Sequence, residues 1–356
     1  MHKKLFIPGP IEVSQEILTA MATPMIGHRM PEYARLHKGV TDKLKKLMFT
    51  EERVFLSTSS AFGAMEGAVR NLVGKRCANF CNGAFSDKWH KVTLSCGKEA
   101  DPFKVEWGQP ITPELVDSAL ATGKYDAITL IHNETSTGVM SPLPEIAEVL
   151  RKYPDVLSIV DTVSSMSALK IPVSELGIDC CVFGVQKAFA LPPGLAVFTA
   201  SERALERAKG VSNRGYYFDF LEFAAADEKD NTPSTPCISL IYALDVQLER
   251  MFAEGLERRW QRHAEMAQFV RGWVLEHGFG LFPDEPYRSV TLTCATNDRG
   301  IDEAALKKRL GERGFAFDDG YGKLKGKTFR IAHMGDMQLK DLREITGEME
   351  SILKDL

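Results

Sequence analysis

The sequence predicts an α/β protein with a large, mostly parallel sheet and a small α+β domain at the carboxyl end. Short apolar runs alternate with helical patterns between residues 54 and 198, which is typical of a parallel sheet covered on both faces. A long helical pattern starts at Ile238, and strand and helix patterns alternate again over residues 280–356. We expect an amino-terminal arm over residues 1–20, a large domain over 21–255 and a small domain over 256–356.

Composition and charge narrow the classes of partner. The chain has 356 residues, 44% of them hydrophobic, and a formal net charge of -4, so no basic excess favours a nucleic acid. No apolar run reaches the roughly 20 residues of a membrane span, and the apolar stretch near the start is too short for a signal peptide. We expect a cytoplasmic protein that binds neither nucleic acid nor membrane.

The seven cysteines indicate reduced thiols rather than disulfides. They are odd in number and thinly spread, and Cys180 and Cys181 adjoin each other inside an apolar run. Cys77 and Cys81 form the only other close pair, and no second pair or histidine cluster completes a zinc site. No metal is therefore expected.

Two helices are expected before residue 50. Ser14 is a candidate cap for a short one, and Tyr33 to Met48 carries apolar residues at helical spacing. Gly27 and His28 lie in the loop between these helices. A histidine in such a loop is more often solvated than functional, and the pair is kept as a candidate substrate contact.

The first unit of strand, turn and helix forms a candidate phosphate site. Residues 54–56 have the pattern of a strand, 57–63 of a turn built from small residues, and 64–72 of a helix. Such a unit presents free backbone N–H groups at the positive end of a helix dipole, which suits a phosphate. A plain serine cap at Ser60 is an equally good interpretation of the turn alone.

Four later strands also end in residues that can carry chemistry. Phe85 follows the strand 77–81, and its ring is either core filler or a surface for stacking on a flat heterocycle. The others, each with the strand that it follows, are Thr135 (126–132), Asp161 (156–160) and Lys187 (180–185). Parallel sheets bind ligands beyond the carboxyl ends of their strands, so we expect these residues to share one site with Ser60.

Two basic residues in apolar runs have alternative interpretations. Apolar surroundings lower the pKa of a lysine, so Lys187 is either an amine nucleophile or Schiff-base former, or a lysine whose ammonium reaches solvent from a strand end. Arg330, in the run 328–333, is either part of a structural ion pair or a fixed fork for a substrate carboxylate. The segment 200–235 shows no regular pattern and is expected to be irregular.

The candidate residues fit one cofactor when they are taken together. A phosphate-binding turn, a ring to stack on, a hydroxyl, a carboxylate and a desolvated lysine suit pyridoxal phosphate. In such a site the lysine attaches the cofactor and the carboxylate keeps the pyridine nitrogen protonated. The freed lysine then moves a proton from the substrate Cα.

Motifs spread over the whole chain carry a family resemblance. The most specific stretch runs from Asp161 to Lys187, and the others are Pro8-Gly9-Pro10, 60–66, Asn82-Gly83, 134–138, Pro192-Pro193-Gly194, 232–236 and Arg330-Ile331. The chain resembles the class V (fold type I) aminotransferases, and most closely the alanine–glyoxylate and serine–pyruvate or serine–glyoxylate group. This resemblance implies the PLP-dependent transferase fold type I, with a mostly parallel sheet of the seven-stranded type and a small C-terminal α+β domain.

Site roles are implied by the resemblance residue by residue. Lys187 is implied as the catalytic Schiff-base lysine, Asp161 as the partner of the pyridine nitrogen and Arg330 as the group that binds the substrate carboxylate. The other implied cofactor contacts are Ser60, Ala61, Phe62 and Gln186 at the phosphate, Phe85 stacked on the ring, and Ser136 and Val163 along the ring. Thr235 and Asn231 are implied to reach the phosphate of the neighbouring subunit, which makes the protein a homodimer with active sites at the subunit interface.

The resemblance favours alanine or serine as amino donor and glyoxylate or pyruvate as acceptor. A 2-aminoethylphosphonate–pyruvate or aspartate transaminase on the same fold and a non-catalytic PLP-binding homologue are the alternatives. A cysteine desulfurase is less favoured, because the cysteines fall mostly in predicted strands. Two departures bear on substrate range: Thr58-Ser59-Ser60-Ala61 replaces the family's usual Ser-Gly-Ser-Gly turn, and Phe85 replaces a common tryptophan.

Overall fold

A seven-stranded sheet organises the first part of the computed structural model, which describes residues 2–356. The strands of the chain are β1 (Lys4–Leu5), β2 (Arg53–Ser57), β3 (Arg76–Cys81), β4 (Glu99–Lys104), β5 (Ala127–Ile131), β6 (Asn133–Glu134), β7 (Val139–Met140), β8 (Leu157–Asp161), β9 (Cys180–Gly184), β10 (Ala196–Ala200), β11 (Gly280–Leu281), β12 (Leu292–Thr296), β13 (Phe315–Ala316), β14 (Asp318–Asp319) and β15 (Thr328–Ala332). The helices are α1 (Gln15–Met21), α2 (Pro31–Met48), α3 (Ala61–Leu72), α4 (Ala84–Ser95), α5 (Pro113–Leu120), α6 (Leu143–Leu150), α7 (Glu202–Gly210), α8 (Phe220–Asp227), α9 (Ile238–Glu254), α10 (Leu256–Glu276), α11 (Glu303–Glu312) and α12 (Leu339–Leu353), with a 3₁₀ turn at Gly322–Leu324.

The strands of the large sheet lie in the order β2-β10-β9-β8-β5-β3-β4. β10 runs antiparallel to both of its neighbours, and the remaining pairs are parallel. The central strands β5, β8 and β9 are buried along their whole length, as their continuous apolar runs require in a sheet covered on both faces. The mostly parallel α/β sheet predicted from the alternating patterns is confirmed.

A four-stranded sheet in the order β11-β12-β15-β14 forms the centre of the C-terminal part. Its core includes Trp273, Phe329 and Leu342 from three different elements. Phe6 joins the same core, because β1 pairs in parallel with β13. Gly255, at φ 86°, separates α9 from α10, and the chain therefore turns at the residue where we predict the large domain to end.

One expectation about secondary structure is wrong. The segment 200–235, expected to be irregular, contains the helices α7 and α8. Ser201 and Asp219 cap these helices, since their side chains accept hydrogen bonds from the backbone N–H groups of Ala204 and Leu221. No helix among residues 2–356 has the length and apolar character needed to cross a membrane.

Candidate active site

A cavity of about 330 Å³ lies at the carboxyl ends of the parallel strands. Eight of the residues predicted for the site line it: Ser60, Ala61, Phe62, Phe85, Asp161, Val163, Gln186 and Lys187. Thr135, the candidate hydroxyl, lines it as well. The structure therefore brings these strand-end residues together around one cavity.

Lys187 is held in the cavity by uncharged groups. Its Nζ donates to Thr135 Oγ1 at 2.6 Å and to Ser164 Oγ at 2.8 Å. Burial of the ammonium lowers the pKa of Lys187 to about 8, against the opposing effect of the Asp161 carboxylate. Gly9 crosses the side chain at φ 135°, where a Cβ atom would lie 3.0 Å from Lys187 Cγ. The lysine is thus confined, has a lowered pKa, and donates to two hydroxyls.

Asp161 is a buried carboxylate at the end of β8. Its Oδ1 accepts a hydrogen bond from the backbone N–H of Val163 at 2.6 Å. Burial raises the pKa of Asp161 to about 7, although this hydrogen bond and the positive charge of Lys187 oppose the rise. A protonated ring nitrogen in the cavity would supply the charge and the donor that this carboxylate needs.

Glu134 holds the backbone turn that carries Phe85. The Glu134 carboxylate accepts hydrogen bonds from the backbone N–H of Ser86 at 3.0 Å and from its hydroxyl at 3.1 Å, at the start of α4. A Cβ atom at Gly83 would lie 2.3 Å from Glu134 Cγ, so this contact requires glycine. Tyr321 stacks on Phe85 with ring centroids 5.3 Å apart. Phe85 is therefore a rigid aromatic wall of the cavity.

Ser136 does not line the cavity. It is fully buried, donates to Glu134 Oε1 at 2.6 Å and accepts from the backbone N–H of Ala84 at 2.9 Å. Its place is in the support of the Phe85 turn, and the neighbouring Thr135 is the residue that contacts Lys187. Ser164 was not among the predicted site residues, and the signal for it was its position three residues after Asp161 in the motif that ends at Ser165.

The first turn of α3 borders the cavity. Ser60 precedes the helix, and its hydroxyl makes no capping hydrogen bond with it. Ala61 and Phe62 begin the helix and line the cavity. The positive end of the helix dipole and an uncommitted hydroxyl form a suitable donor set for a phosphate. Together with Lys187 and Asp161, these groups fit pyridoxal phosphate.

Arg330 lies in β15 and is 3% exposed. Its Nη1 donates to the carbonyl oxygen of Thr135 at 3.0 Å, and its Nη2 pairs with the carboxylate of Asp318. Nε is buried and has no partner among the described residues. The structural ion pair, one of the two interpretations of Arg330, is therefore present. The guanidinium also contacts Thr135, which accepts a hydrogen bond from Lys187.

Besides Ser136 and Arg330, four predicted site residues do not line the cavity: Gly27, His28, Asn231 and Thr235. The Nδ2 of Asn231 donates to the carbonyl oxygen of His28 at 3.0 Å, which joins the loop of Gly27 and His28 to the segment 231–235. Thr235 is exposed and borders a narrow crevice next to Thr58. The structure brings these residues together with one another but not with Lys187 of the same chain.

Comparisons with known proteins identify the family of this chain. Residues 82–323 match the aminotransferase class-V family. An uncharacterized aminotransferase of Methanocaldococcus jannaschii is 40% identical over 100% of this chain and 94% of its own length. Serine–glyoxylate aminotransferase of Hyphomicrobium methylovorum is 35% identical over 99% of this chain and 89% of its own length.

A solved structure gives the same result for the fold. Alanine–glyoxylate aminotransferase of Nostoc sp. superposes with a TM-score of 0.93 and 28% identity, over 99% of this chain and 96% of that one. The family and the fold type I architecture inferred from the motifs are thus confirmed. This chain belongs to the class V aminotransferases, and it is a transaminase that works with pyridoxal phosphate.

Proposed function

We propose that this enzyme transfers the amino group of alanine or serine to glyoxylate or pyruvate. The observation that carries the proposal is the pair of Lys187 and Asp161 in one cavity, with Arg330 joined to Lys187 through Thr135. The names of the Hyphomicrobium methylovorum and Nostoc sp. relatives support a small amino donor and glyoxylate.

Lys187 is proposed as the group that attaches the cofactor and moves the proton. When bound, pyridoxal phosphate supplies an aldehyde for the amino group and a ring that accepts the electrons released at the substrate Cα. Because the pKa of Lys187 is lowered to about 8, a useful fraction of its amine is free to take up a proton near neutral pH. The Thr135 and Ser164 hydroxyls orient Nζ while it does so.

The remaining cavity residues are proposed to hold the two ends of the cofactor. Asp161 would accept a hydrogen bond from the ring nitrogen and keep it protonated. Phe85 and Val163 would line the ring. The phosphate would contact Ser60, Ala61 and Phe62 at the start of α3, and Gln186 after β9. Ser136 is proposed to act on the cofactor indirectly, through the Phe85 turn.

A homodimer is proposed to complete the site. Asn231 and Thr235, with Gly27 and His28, would face the cavity of the partner subunit. The exposed side chains of Met25 and Tyr216, 65% and 64% accessible, support an interface near these loops. Sedimentation velocity should give one species of twice the chain mass, and a monomer with full activity would contradict the proposal.

The test is a panel of amino donors and acceptors with the PLP-loaded enzyme. L-alanine, L-serine, L-aspartate and 2-aminoethylphosphonate are each paired with glyoxylate, pyruvate and 2-oxoglutarate. We expect the highest kcat/KM for alanine or serine with glyoxylate. Lys187→Ala should lose all turnover, whereas the exposed Lys91→Ala should keep it.

Two outcomes would overturn the proposal. A preference for aspartate or the phosphonate would reassign the substrate. No turnover with any pair would support the alternative of a non-catalytic PLP-binding protein.

A further inference from the structure

The guanidinium of Arg330 is already paired with one carboxylate of the protein, that of Asp318. Asp318 in β14 lies directly opposite Arg330 in the antiparallel pair with β15. Its carboxylate pairs with Nη2 of the guanidinium, and the two side chains are 27% and 4% exposed. Register and burial both hold the pair in place, so the carboxylate of Asp318 has a fixed position beside Arg330.

The guanidinium still has donors for a ligand. An arginine side chain carries five N–H donors, and Arg330 commits only Nη1 to Thr135 and Nη2 to Asp318 through its hydrogen bonds. Nε is buried without a partner among the described residues. One further carboxylate can therefore bind, but it binds beside a carboxylate that is already there.

The charge of Asp318 is only weakly balanced by its lysine neighbour. Lys307 lies 2.6 Å from Asp319 and 3.9 Å from Asp318, so it mainly balances Asp319. Tyr321 lies beside the guanidinium of Arg330: its ring centroid is 5.4 Å from Arg330 Cζ, and the ring stacks on Phe85. Less water between charges strengthens their interaction.

We propose that Asp318 determines donor specificity, by repelling amino acids that carry a second carboxylate. The inference rests on the proposed function, in which Arg330 binds the α-carboxylate of the donor. The side chains of alanine and serine carry no charge and are not affected. The side-chain carboxylate of aspartate or glutamate would enter a site where two carboxylates already share one guanidinium, and like charges in such contacts are strongly unfavourable.

The test compares Asp318→Asn with Asp319→Asn in the PLP-loaded enzyme. Asp318→Asn keeps the size and an acceptor oxygen but removes the charge. We expect it to raise the ratio of kcat/KM for L-aspartate over L-alanine at least about tenfold. Asp319→Asn, one residue away and paired with Lys307, should leave the ratio unchanged, and Asp318→Glu should keep the discrimination. Asp318→Ser carries the same expectation as Asp318→Asn if the latter does not fold.

Equilibrium binding separates this inference from the proposed function. Isothermal titration with propionate and succinate, which carry one and two carboxylates and no amino group, requires no turnover. Succinate should gain affinity relative to propionate in Asp318→Asn only. If the wild type turns over donors but neither ratio changes, Asp318 has no role in specificity. If the binding ratio changes and no donor turns over, the proposed function fails while Asp318 still selects by charge.

Discussion

Two cations contact Thr135, and their surroundings differ. Lys187 Nζ donates to the hydroxyls of Thr135 and Ser164, and among the described residues no carboxylate is hydrogen-bonded to it. Arg330 donates to the carbonyl oxygen of the same threonine and is paired directly with the carboxylate of Asp318. Thr135 thus contacts one cation whose hydrogen-bond partners are neutral hydroxyls and one cation that is held in an ion pair.

The different partners suit the two cations to different tasks, proton transfer and anion binding. A neutral hydroxyl stabilises an ammonium less than a carboxylate partner would. The effect of burial on Lys187 is therefore the largest one, and it lowers the pKa to about 8. A guanidinium keeps its proton in proteins, and a carboxylate partner fixes its position. A proton-transfer group and an anion-binding group can therefore lie side by side if only the second has an ion-pair partner.

The largest effect is expected at the anion-binding cation. Arg330→Gln should lower kcat/KM for L-alanine about a thousandfold, because two charge-assisted hydrogen bonds of about 2 kcal/mol each are lost. Steady-state kinetics with glyoxylate measure the change. Arg299→Gln, at an exposed arginine of the C-terminal part, is the matched control. A loss below about tenfold, with the absorbance of the bound cofactor intact, would leave Arg330 as a structural ion pair only.

The next effect concerns the carboxylate near Lys187. Burial raises the pKa of Asp161 from 3.8 to about 7, so the folded protein binds more protons than the unfolded chain between these values. The stability of the cofactor-free protein should therefore fall from pH 5 to pH 8, by on the order of 2–3 kcal/mol through this group. Asp161→Asn should remove that part of the fall.

Denaturant unfolding at the two pH values measures this difference. Asp42→Asn, at an exposed aspartate, should keep the pH dependence of the wild type. An unchanged pH dependence in Asp161→Asn would show that the carboxylate is not held in an unfavourable environment.

The smallest effect is expected at Thr135 itself. Thr135→Val removes one acceptor of the Lys187 ammonium and should lower the pKa of Lys187 further below its value of about 8. A shift of about one unit, equal to about 1.4 kcal/mol, is expected. The rate at which cofactor-free protein takes up pyridoxal phosphate, followed against pH, gives the midpoint. Thr135→Ser keeps the hydroxyl and should match the wild type, and equal midpoints in all three proteins would refute the contact.

The sequence could predict the cavity because the topology is simple. In a parallel sheet the carboxyl ends of all strands share one edge, so Phe85, Asp161 and Lys187 could be placed together from apolar runs alone. The choice between Thr135 and Ser136 could not be made in this way. The two residues are adjacent, and the local path of the chain between β6 and β7 decides which hydroxyl faces the lysine and which supports Glu134.

Other structural features depend on short elements and strand pairings that produce no recognisable sequence pattern. The ion pair of Arg330 with Asp318 exists because β14, a strand of two residues, aligns with β15. β4 is an edge strand without a fully buried residue, so it has no apolar run to mark it. The capping residues Ser201 and Asp219 are local signals for α7 and α8. However, α7 consists mostly of charged residues and α8 has only eight residues, so neither forms a long helical pattern of apolar residues.

The position of β2 at the edge of the sheet has a consequence for synthesis on the ribosome. β2 leads into the turn of Ser60, and its one neighbour in the sheet is β10, which ends at Ala200. At about 5–20 residues per second, that neighbour is translated on the order of ten seconds after β2. Within the seven-stranded sheet, β2 is therefore the first strand to be made and one of the last to be paired.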